Sequence, residues 1–75
     1  MKKETQTTPQ AIGSRVQQRR NELGLNQAEL AMSCGTGARF ISDLENGKET
    51  CQLGKSLQVL AALGLQVSIT TPNSK

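Results

Sequence analysis

The side chains best suited to recognition chemistry lie in a short polar segment that follows two closely spaced glycines, Gly35 and Gly37. Arg39 and Asp43 are four residues apart within that segment. A guanidinium can donate two parallel hydrogen bonds to the edge of a guanine, and a carboxylate can accept a bond from the amine of a cytosine. Both side chains therefore have the chemistry needed to recognise base edges, provided that the fold presents them to DNA.

Composition argues against other kinds of site. The chain has no His, and its two cysteines, Cys34 and Cys51, are not in a CxxC spacing, so we expect no metal and no cofactor. We expect no enzyme, because no nucleophile–base pair is evident and 75 residues offer no deep pocket. Phe40 is the one aromatic residue, so the stacking of unpaired bases on aromatic side chains is not expected. We expect Phe40 to pack against the preceding helix rather than insert between bases.

The charge balance permits a polyanionic partner. Nine basic and six acidic residues give a net charge of +3, less than is usual for ribosomal or histone-like proteins. No apolar run approaches the roughly 20 residues of a membrane span, and no secretory signal is evident. We therefore expect a small cytoplasmic protein with no disulfide and no membrane contact.

Residues at the helix ends predict two helices before the polar segment. Thr7 or Thr8 can cap the first helix, which ends at Gly24 because glycine tolerates the left-handed conformation found there. Asn26 and Glu29 form a capping box for the second helix.

A third helix is predicted over residues 38–45, after a tight turn over residues 34–37. Ile41 and Leu44 are three residues apart and form its buried stripe. The side chains that then point away are Ala38, Arg39, Ser42 and Asp43. Two short helices joined by a turn that contains glycine are typical of the helix-turn-helix, whose second helix enters the DNA major groove.

A fourth helix is predicted before residue 64. Thr50 is expected to cap it, and the spacing of Leu53, Leu57, Leu60 and Ala61 predicts its inner face.

The hydrophobic period then changes from 3.6 to 2. Leu65, Val67 and Ile69 alternate with polar residues, which predicts a β-strand over residues 65–70. The chain offers this strand no second strand, so we expect it to pair with the same strand of a second copy in a homodimer.

Residues 14–48 resemble the DNA-binding domain of lambdoid phage repressors and Cro proteins, within the wider Xre/Cro helix-turn-helix family. The shared stretch reads SRV…R…LGLNQAELA…GT…I…LENGK. With the following LGKSLQVLAALGLQVSI, the chain is most similar to the small HipB-type antitoxins. This resemblance implies a mainly α, four-helix lambda-repressor-like domain plus one C-terminal β-strand that pairs across a homodimer. The phage repressors have a fifth helix in place of the strand, so their dimer contact does not carry over.

The resemblance also implies roles for individual residues. The phosphate-contacting positions are Asn26, Gln27, Asn46 and Lys48. The base-reading positions are Gly37, Ala38, Arg39, Ser42 and Asp43. Arg20 and Glu45 match a structural ion pair that joins the first and third helices.

Some positions leave alternatives open. Ala38 limits reading to an apolar contact such as a thymine methyl. Asp43 can accept a bond from cytosine, orient Arg39, or be a surface acid. Arg15 and Arg19 either reach DNA or are simply solvated.

The predicted organisation is a flexible arm (residues 1–8), the DNA-binding domain (9–64), the dimerisation strand (65–70) and a flexible tail (71–75). The resemblance implies a sequence-specific transcriptional repressor that binds a palindromic operator in double-stranded DNA. It further implies the antitoxin of a type II toxin–antitoxin operon, which represses its own promoter and binds a HipA-like Ser/Thr kinase toxin. The alternatives are a stand-alone repressor, or a protein-interaction module that has lost DNA binding.

Overall fold

Four α-helices follow one another along the described residues, which are residues 8–69 and 71 of the computed structural model. The helices are α1 (Pro9–Glu22), α2 (Gln27–Cys34), α3 (Ala38–Glu45) and α4 (Leu53–Ala62). The predicted mainly α, four-helix domain is confirmed. Except for residues 8 and 71, the expected arm and tail lie outside the described residues.

Local sequence signals set the ends of α1 and α2. The Thr8 hydroxyl accepts the N–H of Ala11 at 3.1 Å, and Gly24 follows α1 in the left-handed conformation with φ of 73°. At α2, Asn26 Oδ1 accepts the N–H of Glu29 at 2.7 Å, and Glu29 Oε1 accepts the N–H of Asn26 at 2.8 Å. The predicted capping box is therefore present, and it satisfies two donors at a helix end that the helix itself leaves unpaired.

The core lies where all four helices meet. Its largest fully buried side chains are Val16, Leu30, Ile41, Val59 and Leu63. Helix α3 packs against both α1 and α2, and α2 also packs against α4. Because α3 is held from two sides, it has a fixed orientation relative to the other helices.

The prediction for α4 is wrong in two respects. Gln52 immediately precedes the helix, and Thr50 lies in the preceding turn and makes no cap hydrogen bond to α4. Leu53 and Leu57 are 72% and 43% exposed. Leu60 is buried as predicted, but Ala61 is exposed like Leu53 and Leu57, so the helix is rotated away from most of the predicted stripe.

A buried serine makes this rotation possible. The inner face of α4 carries Ser56, Val59 and Leu60, and Leu63 continues it. The Ser56 hydroxyl donates to the carbonyl of Gln52 at 2.9 Å, so its burial leaves no unpaired polar group.

The segment after Gly64 forms no β-strand within residues 65–69 of the single chain. The N–H of Leu65 donates to the Leu60 carbonyl at 2.9 Å, and the Leu65 side chain packs against the core. Val67 and Ile69 are 57% and 93% exposed, and residue 70 lies outside the described residues. The strand across a dimer stays a prediction, since it needs a second copy. Among the described residues, no helix has the length and apolar character to cross a membrane.

Candidate nucleic-acid interface

The turn between α2 and α3 consists of residues 35–37, one residue shorter than predicted because Cys34 ends α2. Gly35 has φ of 70°, in the left-handed region where a side chain is strained, and its N–H donates to the Met32 carbonyl. Gly37 is extended and directly precedes α3, and no side chain caps the start of that helix. Two separate helices therefore result, rather than one continuous helix.

Helix α3 has one anchored face and one open face. Ile41 is fully buried and Leu44 is nearly so. On the other side, Ala38 and Arg39 are exposed, while Ser42 and Asp43 are half-buried. The described part of the chain thus presents α3 as a rigid rod whose outer face is open to a partner.

Asp43 is paired with Lys48 rather than with Arg39. Lys48 Nζ lies 3.5 Å from Asp43 Oδ2, and the Lys48 N–H donates to the Asp43 carbonyl at 3.0 Å. Among residues 8–69, no hydrogen bond or ion pair joins Asp43 to Arg39, so the structure does not support the alternative in which Asp43 orients Arg39. The lysine offsets the negative charge that Asp43 places on the outer face.

The four expected phosphate-contacting residues fall at two neighbouring helix ends. Asn26 and Gln27 lie at the start of α2, and Asn46 and Lys48 follow α3. Gln27 Nε2 donates to Glu45 Oε1 at 3.0 Å, which brings the start of α2 beside the end of α3. Polar groups at both ends therefore border the outer face of α3.

A buried ion pair joins α1 to the end of α3. Arg20 Nε donates to Glu45 Oε2 at 2.6 Å, and Arg20 Nη2 donates to Glu45 Oε1 at 3.0 Å. The side chains are only 10% and 3% exposed. Arg20 also donates to the Leu25 carbonyl at 2.8 Å, so the same guanidinium fixes the loop before α2.

This pairing shifts the acid–base properties of both groups. The hydrogen bond to Glu45 raises the pKa of Arg20, and burial opposes that rise. Burial also acts to raise the pKa of Glu45, but the hydrogen bonds from Arg20 and Gln27 outweigh it and lower that pKa. Both side chains are therefore held in their charged forms.

Two alternatives from the sequence are now clearer. Arg19 Nε donates to the Leu63 carbonyl at 2.8 Å, so this arginine binds the end of α4 rather than being merely solvated. Phe40 is half-buried and packs against the core, with Lys55 Nζ 5.7 Å from its ring centre. Arg15 is exposed, which is required both for a contact to DNA and for simple solvation.

Sequence reasoning missed two contacts that shape this surface. They are the bond between Gln27 and Glu45 and the close approach of Gly13 in α1 to the main-chain carbonyl of Leu44 in α3. No local pattern signals either one, because each joins residues far apart in the chain. The family resemblance includes Arg20 and Glu45, so it predicts the ion pair between them. It does not predict the bond from Gln27 to Glu45 or the crossing at Gly13.

Comparison of the sequence with known proteins gives two findings. The profile of the family described as helix-turn-helix matches residues 16–70. The chain is also 50% identical over 68 residues to the uncharacterized HTH-type transcriptional regulator y4mF of Sinorhizobium fredii. That alignment covers 91% of this chain and 90% of the relative.

Solved structures give a matching fold. A HipB variant in complex with an O2 20mer superposes with a TM-score of 0.80 at 24% identity, covering 95% of this chain and 99% of that chain. HipB in a HipA–HipB–O2–O3 complex gives a TM-score of 0.80 at 22% identity, covering 95% and 100% of the two chains. At these identities the likeness shows a shared fold.

Proposed function

Because the chain belongs to the helix-turn-helix family of transcriptional regulators, we propose that it is a sequence-specific repressor that inserts α3 into the DNA major groove. The resemblance seen in the sequence is thereby confirmed at the level of the family. The observation that carries the proposal is the division of α3 into a buried face, with Ile41 and Leu44, and an open face that begins with Ala38 and Arg39.

Base reading is assigned to the open face and to the glycine before it. Arg39 is the principal reader, because a guanidinium matches both acceptors of a guanine edge. Ala38 contributes an apolar contact. Gly37 has no side chain and so allows DNA to approach closely. The Ser42 hydroxyl can form a single hydrogen bond to a base. Asp43, balanced by Lys48, accepts a bond from a cytosine amine.

Phosphate contacts position α3 without reading sequence. Gln27 and Asn26 act at the start of α2, where backbone N–H groups without helical partners favour an anion. Asn46 and Lys48 act at the other end of the surface, directly after α3. Contacts on both sides of the reading helix would fix its register in the groove.

A homodimer completes the reading of a palindrome. Val67 and Ile69 are exposed apolar side chains in a segment whose alternating pattern suits a strand. Pairing the strands of two copies about a two-fold axis, with Leu65 at the base of each, would present two α3 helices to one face of the duplex. Occupation of such a site in a promoter blocks transcription.

The finer proposal is that this repressor is a HipB-type antitoxin that represses its own operon and binds a HipA-like kinase toxin. Its support is the shared fold with HipB, one structure of which is a complex with HipA. A kinase-like reading frame beside the gene, and co-purification of its product with this chain, would support the antitoxin role. If both were absent, the chain would be a stand-alone repressor.

A second candidate is a protein-interaction module that has lost DNA binding. Ala38, which has no hydrogen-bonding side chain, and Asp43, which carries negative charge on the outer face, favour it. In this case no fragment of the promoter would be bound at any salt concentration.

The test is fluorescence anisotropy with a duplex from the promoter of the chain's own gene and a mixed-sequence duplex of equal length. A reader of DNA binds the promoter more tightly, and its affinity for both duplexes falls steeply as salt rises, because bound counterions are released. Equal affinity for the two duplexes would contradict sequence reading, and no binding at low salt would favour the interaction module.

A further inference from the structure

The buried ion pair does not end at Glu45 but continues into the start of α2. Glu45 Oε1 accepts two hydrogen bonds, one from Arg20 Nη2 and one from Gln27 Nε2, both at 3.0 Å. Gln27 is the first residue of α2 and is half-buried, so its amide lies between the buried carboxylate and the surface. The three side chains connect α1, α2 and α3 at one point.

The charge on Glu45 decides which way the Gln27 amide faces. An ionised carboxylate can only accept hydrogen bonds, so it requires the nitrogen of the amide, and not the oxygen, to face inward. A planar amide nitrogen has two hydrogens that point in different directions. When one of them is held by Glu45, the direction of the other is set as well.

We propose that Glu45 is a positioning residue for DNA binding, because its carboxylate fixes the Gln27 amide so that the second Nε2 hydrogen is presented to a DNA phosphate. The inference rests on the proposed function, in which Gln27 contacts a phosphate. A glutamine side chain has several rotatable bonds, and holding it before DNA arrives removes the entropy that binding would otherwise cost. Arg20 contributes indirectly by keeping Glu45 in place.

A double-mutant cycle tests this role. Glu45→Gln is made in the wild-type chain and in a Gln27→Met background, and affinities for the promoter duplex and a mixed-sequence duplex are measured. Circular dichroism gives the folded fraction, by which each affinity is corrected. The methionine side chain has no N–H to donate to a phosphate, so the second background shows what Glu45 does apart from Gln27.

The expected result is a loss of about threefold to tenfold for Glu45→Gln when Gln27 is present, and little loss in the Gln27→Met background. The loss should be equal for the two duplexes, because a phosphate contact carries no sequence information. The same loss in both backgrounds would overturn the positioning role and leave Glu45 as a purely structural residue.

Nuclear magnetic resonance of the unsubstituted chain gives a second test that does not depend on variants folding. In the free protein, one Gln27 Nε2 hydrogen should exchange slowly because Glu45 holds it. Addition of the duplex should shift the other hydrogen and leave the first in place. Fast exchange of both hydrogens, or no shift of either in a chain that binds DNA, would overturn the proposal. Absence of binding by the unsubstituted chain would instead overturn the proposed function.

Discussion

Gly13 of α1 faces the main-chain carbonyl of Leu44 in α3 so closely that no side-chain carbon fits between them. A Cβ atom at Gly13 would also lie 2.6 Å from the carbonyl oxygen of Glu45. Arg20 lies seven residues further along α1, two turns away on the same side of the helix. The close crossing at Gly13 therefore helps to bring Arg20 within reach of Glu45.

Gly13→Ala should destabilise the chain despite the higher helix propensity of alanine. The added carbon can be accommodated only if α1 and α3 move apart, and overpacking of this kind costs roughly 1–3 kcal/mol. The free energy of unfolding, measured in urea, should fall by that order, and the Arg20–Glu45 contact should loosen.

Gly54→Ala is the matched control, because Gly54 also lies in a helix and a Cβ atom there would meet nothing within 4 Å. It should stabilise the chain by less than about 0.5 kcal/mol, since glycine is disfavoured within helices but Gly54 lies in the first turn of α4. If both substitutions changed the free energy of unfolding equally, α1 and α3 would not be as close at Gly13 as the structure shows.

Acid should destabilise the chain through Glu45. Hydrogen bonds from Arg20 and Gln27 outweigh burial and hold the pKa of Glu45 below its ordinary value of 4.5. The unfolded chain therefore takes up a proton on this carboxylate before the folded chain does. The stabilisation is complete above about pH 4.5 and is lost as pH falls through the lower pKa of the folded chain.

Urea unfolding across this pH range gives the measurement, with Glu45→Gln and Glu49→Gln for comparison. Glu45→Gln leaves Arg20 buried without a charged partner, which costs roughly 3–5 kcal/mol, and should flatten the fall of stability in acid. Glu49 is exposed, and its substitution should leave the acid profile unchanged. A Glu45→Gln profile as steep as that of the unsubstituted chain would mean that other groups cause the loss.

Local signals in the sequence were sufficient for the helix ends near the interface. Caps such as Thr8 and the Asn26–Glu29 box depend on residues three positions apart, and Gly35 marks a backbone conformation that other residues avoid. Each signal acts within one turn of helix, so it can be read without knowing the fold. For the same reason, the stripe of Ile41 and Leu44 correctly gave the orientation of α3.

Features that depend on distant residues could not be predicted in this way. The rotation of α4, which buries Ser56 and exposes Leu53, depends on how α4 meets α2. Gly13 resembles any helical glycine until α3 is placed against it. The bond between Gln27 and Glu45 spans 18 positions and forms only when both helices are in place.

Dimerisation through residues 65–70 should weaken when its apolar side chains are replaced. Ile69 and Val67 are exposed in the single chain, and a second copy would cover them in the proposed pairing. Val67→Ser combined with Ile69→Ser should shift the monomer–dimer equilibrium toward the monomer by roughly 1.5–3 kcal/mol for each side chain that pairing fully buries. Sedimentation equilibrium over a range of concentrations gives the dissociation constant.

Gln66 and Ser68 alternate with these positions, so Gln66→Ser combined with Ser68→Thr is the control and should leave the dimer intact. If the unsubstituted chain is a monomer at all concentrations, or both double variants behave alike, the strand is not the dimer contact.

Arg39→Ala should weaken promoter binding and relax its sequence preference. The side chain is exposed at the second position of α3, where a guanidinium can form two hydrogen bonds to one guanine. Its loss should cost roughly 1–3 kcal/mol on the promoter and much less on a mixed-sequence duplex. Arg39→Lys is the matched variant, because it keeps the charge but replaces the planar fork of the guanidinium by a single ammonium nitrogen. If Arg39 reads a base, lysine should restore the small loss on the mixed-sequence duplex but only part of the preference for the promoter. Equal losses on both duplexes for Arg39→Ala, restored fully by lysine, would make Arg39 a phosphate contact instead.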